Sequence, residues 1–86
     1  MHELSIALEI CRVIEEQLSP PQLPQLVELG LDVGEDTTIE VANLQFCLDT
    51  LLANPPFAGA SVVITRGDGR DTRVSYLEVD DERPTY

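Results

Sequence analysis

Between Glu3 and Leu18 the apolar residues Ile6, Ala7, Ile10, Val13 and Ile14 recur three and four apart, and Leu4, Leu8 and Cys11 widen the stripe on one side. That is the period of a helix with one face turned to a core, so a first helix is predicted over this stretch. "SPPQLP" at 19–24 ends it. Proline lacks the N–H that a helix needs and pushes the residue before it toward extended backbone.

The period then changes. In "QLVELGLDVG" Val27, Leu29, Leu31 and Val33 alternate with Glu28, Gly30 and Asp32, the pattern of a strand buried on one side, with Leu26 breaking the polar face once. "TTIE" at 37–40 reads as a capping box, in which the Thr37 hydroxyl takes a helix N–H and Glu40 reaches back to the Thr37 N–H. A second helix is expected from about Ile39 to Ala53. Val41, Leu44, Cys47, Leu48 and Leu51 face inward, Phe46 lies off that stripe, and "NPP" at 54–56 stops the chain.

"GASVVIT" is short and β-branched, hence a strand, and "TRGDGRD" carries the signal of a tight reversal into "TRVSYLEV" as a hairpin partner. In that last strand Val74 and Tyr76 share one parity and Leu77 and Val79 the other, which calls for a bulge or for burial on both sides. The predicted fold is α+β, in the order α-β-α-β-β, with two helices on one face of a three-stranded mixed sheet. Parallel pairing of the first two strands would require a right-handed crossover.

Eighty-six residues make one domain, 1–86, whose charged tail from about 80 to 86 is expected to fray. Arg and Lys total 5 against 16 Asp and Glu, a net charge of −11. Such a surface repels phosphate, so neither nucleic acid nor an anionic membrane is expected as partner. With no charged-then-apolar leader and no apolar run near the ~20 residues that cross a bilayer, the expected location is the cytoplasm. Cys11 and Cys47 are too far apart for a metal-binding or redox pair and sit in apolar stretches, so they read as free thiols. An open sheet edge offers a second copy a place to pair as a homodimer.

One histidine, no glycine-rich phosphate loop and no nucleophile–base pairing argue against an enzyme. Position two is the exception. A terminal amine on Met1, a backbone amide and the His2 imidazole together offer the square-planar nitrogen donors that suit Ni(II) or Cu(II). The plain alternative is an exposed histidine at a helix start. Arg66, Arg70 and Arg73 gather near the final reversal, either balancing nearby acids or receiving an acidic partner.

Met1, His2 and Glu3, Ser5 two residues on, a strand ending in Gly34 and Glu35, and the closing "RVSYLEVDDE" resemble the hydrogenase and urease nickel-insertion accessory family, HypA/HybF. The resemblance implies a nickel-binding accessory protein in the maturation of a nickel enzyme such as [NiFe] hydrogenase. The metal would fall on His2 with neighbouring backbone nitrogens, including those of Met1, on Glu3 and on Glu40. It further implies an accessory GTPase or the enzyme precursor as partner. Family members carry a zinc module with two Cys-x-x-Cys pairs between the second and third strands, and "RGDGRD" stands in that place here, so no structural zinc is expected. A shortened relative of this kind could instead be a metal-free regulatory or scaffolding module.

Overall fold

The computed structural model describes residues 2–82, the side chain of His2 excepted. Helix α1 runs His2–Gln17, strand β1 Leu26–Gly34, helix α2 Val41–Leu52, strand β2 Ser61–Gly67 and strand β3 Thr72–Val79. This is the α+β order expected, with both helices on one face of a mixed sheet. Between α1 and β1 the proline-rich stretch forms a 3₁₀ helix, Pro20–Gln25, which tucks Leu23 into the core. Ser19 starts it, its N–H donating to Gln22 Oε1 at 2.9 Å.

The core is one cluster in which α1 contributes Ala7, Ile10, Cys11 and Ile14, β1 contributes Leu29, Leu31 and Val33, and α2 contributes Leu44, Leu48 and Leu52. Each fully buried leucine or isoleucine adds about 1.5–3 kcal/mol of burial free energy, the main stabilising term in so small a chain. Phe46 points to solvent at 71% exposure, as its position off the stripe implies. Among the described residues no helix is long and apolar enough to cross a membrane.

Sheet order is the main departure from the sequence reading. β1 lies in the middle, parallel to β2 and antiparallel to β3, so β2 and β3 are not hydrogen-bonded neighbours and no β2–β3 hairpin forms. Central placement satisfies both backbone edges of the most apolar strand, whereas a hairpin would have left one of them open. The glycine-rich link therefore spans two strand spacings, ~10 Å, where a tight turn spans one. It does so by folding over the end of β1: the N–H groups of Gly34, Glu35 and Asp36 donate to the carbonyls of Asp71, Gly67 and Gly69. A Cβ on Gly34 would stand 2.2 Å from the Gly69 carbonyl oxygen, so only glycine admits this approach.

Two register shifts explain the imperfect alternations. Leu26 pairs with Val79 and Glu28 with Glu78, which leaves Val27 as the extra residue and lets Leu26 turn to the core. Gly30 pairs with Tyr76 but Leu31 with Val74, so Ser75 is the extra residue on β3. That bulge brings Val74, Leu77 and Val79 to the core side and sends Tyr76 to the other face. There the Tyr76 ring covers Gly30, where an added Cβ would meet it at 2.0 Å, and its hydroxyl donates to Glu28 Oε2 at 2.6 Å.

Candidate metal centre

Helix α1 begins at His2, and the first N–H groups of a helix have no intrahelical acceptor. Glu3 sits in this first turn, where a carboxylate also complements the positive end of the helix dipole. Met1 and the His2 imidazole lie outside the described residues.

Across from this turn lies the start of α2, and here the sequence expectation needs correcting. Thr37 and Glu40 do not form a capping box: the helix begins at Val41 and Glu40 is itself the capping position, extended at φ −83° and ψ 105°. Its side chain makes no cap hydrogen bond, and only its carbonyl takes the Leu44 N–H at 3.0 Å. Thr37 instead closes a local turn, accepting the Ile39 N–H at 3.2 Å. The capping position falls three residues later than "TTIE" suggests, at Glu40 and not Thr37, so the hydroxyl lies too far upstream to cap the helix.

Glu3 takes over part of that role from another element. Its Oε2 accepts the Glu40 N–H at 3.1 Å and thereby ties the start of α1 to the start of α2. The expected site residues Glu3 and Glu40 are thus neighbours in space, joined through the backbone of one and the carboxylate of the other. The capping part read for Glu40 falls to Glu3, which accepts the N–H, and the exposed Glu40 carboxylate is not used for it. Sequence could not have found this bond, because the partners stand 37 positions apart.

The cysteines contribute nothing here. Cys11 is buried in the core, where desolvation and then the nearby Glu15 raise its pKa, and Cys47 is a half-buried free thiol on α2. Among the described residues no group of three or more His, Cys, Asp or Glu side chains converges to hold a metal ion. The basic residues near the last reversal are used differently from one another. Arg66 donates to the Val33 and Gly34 carbonyls at 3.2 and 3.0 Å and so secures the end of β1.

The sequence opens on Met-His-Glu, and in this small α-β-α-β-β arrangement the first helix, from His2, is tied through Glu3 to the start of the second. The family described as hydrogenase/urease nickel incorporation, metallochaperone, hypA matches residues 1–72, and the chain belongs to it. It is 31% identical over 70 residues to the hydrogenase maturation factor HypA of Azotobacter chroococcum mcd 1, covering 81% of this chain and 62% of that protein. To the protein of the same name from Azotobacter vinelandii it is 34% identical over 70 residues, with the same coverage of 81% and 62%. To that from Azoarcus sp. (strain BH72) it is 34% identical over 64 residues, 74% of this chain and 56% of the relative. The chain therefore spans about three fifths of the length of the curated relatives it matches. Most of β3 lies beyond the matched stretch.

Proposed function

We propose that the chain is a nickel-binding accessory protein, not an enzyme, which takes Ni(II) as cargo at its amino terminus and passes it on during maturation of a nickel enzyme such as a hydrogenase. Membership of the nickel-incorporation family through residues 1–72, including the Met-His-Glu opening, carries this reading. In it the Met1 amine, backbone nitrogens of the first turn and the His2 imidazole supply the square plane that Ni(II) favours. Glu3 follows these donors in the sequence, and Glu40, whose N–H Glu3 accepts and whose own side chain is unused as a cap, is the carboxylate better able to turn toward a cation. The recipients are an accessory GTPase or the enzyme precursor itself, met in the cytoplasm. The described cysteines, one in the core and one packed against it, support a domain that works without structural zinc.

Calorimetric titration with Ni(II) tests the reading. His2→Ala should weaken binding at least tenfold, about 1.4 kcal/mol, and affinity should rise with pH because the nitrogen donors must shed protons. Two residues added before Met1 should weaken it comparably, since they remove the free amine and leave His2 in place. Equal affinity in wild type and His2→Ala would end the metal reading and leave the metal-free docking module.

A further inference from the structure

The last strand carries a self-complementary pattern that nickel handling does not use. β3 is an edge strand, paired on one side with β1 and, among the described residues, with nothing on the other. The Asp71 carbonyl and the Asp80 N–H both face β1. Counting inward by alternation from each end leaves the backbone groups of Thr72, Val74, Leu77 and Val79 on the open edge.

The bulge at Ser75 makes this edge match itself. In an antiparallel pair, residues directly opposite share a face. If two copies of β3 pair about a two-fold axis between Ser75 and Tyr76, Val74 stands opposite Leu77 and Arg73 opposite Glu78. Val74 and Leu77 both turn to the core side, while Arg73 and Glu78 pair with Asp32 and Glu28 on the other face. An unbulged strand would put Val74 and Leu77 on opposite faces and spoil the match. Arg73 forms no ion pair among the described residues, and Glu78 already stands across from the like-charged Glu28 on β1. Opposite charges facing one another across strands stabilise a pair, and like charges directly opposite destabilise it.

A strand edge alone is a small contact, but here it continues into an apolar groove of about 850 Å³ between α1 and β3, walled by Ile6, Ile10 and Val13 on one side and Val74 and Leu77 on the other. The β2 edge has no such device, for its one charged side chain, Arg66, is turned to the end of β1. We propose that β3 is a homodimer seam: a second copy adds its own β3 antiparallel, with Val74 opposite Leu77 and Arg73 opposite Glu78, and closes the α1–β3 groove from both sides. Two three-stranded sheets thereby become one of six strands. The seam is independent of whether metal is bound.

Sedimentation velocity on the full chain, from micromolar to near-millimolar concentration, tests it. Wild type should sediment as a dimer at the upper end. Arg73→Glu and Glu78→Arg, each at an exposed position, should each raise the dimer dissociation constant at least tenfold, with circular dichroism verifying the fold. The double variant R73E/E78R restores opposite charges across the axis and should bring the constant back to near the wild-type value. A wild type that stays monomeric, with or without another protein captured on β3, overturns the seam. So does either single variant that dimerises as well as wild type, or a charge swap that stays monomeric.

Discussion

At the level of single residues, Glu3 does a structural task and carries a proposed metal role, and the two are separable. Glu3→Gln keeps an acceptor for the Glu40 N–H, so its stability should lie within about 0.5 kcal/mol of wild type while any carboxylate contribution to Ni(II) is lost. Glu3→Ala removes the acceptor as well and should cost about 1 kcal/mol in urea denaturation. Tyr76 gives a second reading at this scale. Its phenol donates to the Glu28 carboxylate, which, with a smaller effect of burial, holds its pKa above the ordinary value of 10.0. A raised folded-state pKa means the bond stabilises fully below the ordinary value and is lost as pH climbs through the folded one. Stability should therefore decline above about pH 10, and less so in Tyr76→Phe. In a Tyr86→Phe background, the ultraviolet titration of Tyr76 should move back toward the ordinary value when Glu28 is changed to Gln.

Among the elements, the link between β2 and β3 is where local and long-range signals parted. "RGDGRD" carries genuine turn chemistry, and the residues do reverse the chain, but which strand receives β3 was decided by β1, whose Leu29, Leu31 and Val33 have zero exposure and demand the middle of the sheet. The helices were legible from the spacing of their apolar residues, although Leu4 and Leu8, read as widening the first stripe, are exposed and Leu52, not read as inward, is fully buried; the Ser75 bulge was legible as a fault in alternation, though not as to which residue is extra. The Glu3–Glu40 latch was not legible, because nothing local marks a bond between two helix starts. Gly34→Ala tests the crossing of the link over β1. Its methyl would meet backbone that cannot swing aside, so a loss of about 1–3 kcal/mol is expected by denaturation, while glycine to alanine at the open position Gly67 should be near neutral.

For the whole molecule, a single core cluster joins both helices to the sheet, so local damage should spread. Leu31→Ala should cost about 2–5 kcal/mol, a large part of the ~5–15 kcal/mol typical of a domain, and should lower the urea midpoint without changing its slope. The family and the general fold could be read from pattern and motif together, since both depend on order along the chain. The sheet's neighbours could not, since they depend on which strand most needs covering. That arrangement also gives the molecule a natural grafting point. With β1 standing between them, β2 leaves and β3 returns on a fixed gauge of ~10 Å, whatever the length of chain that connects them. A further folded unit whose own ends stand that far apart could be spliced in between Gly67 and Asp71 without altering one pairing in the sheet.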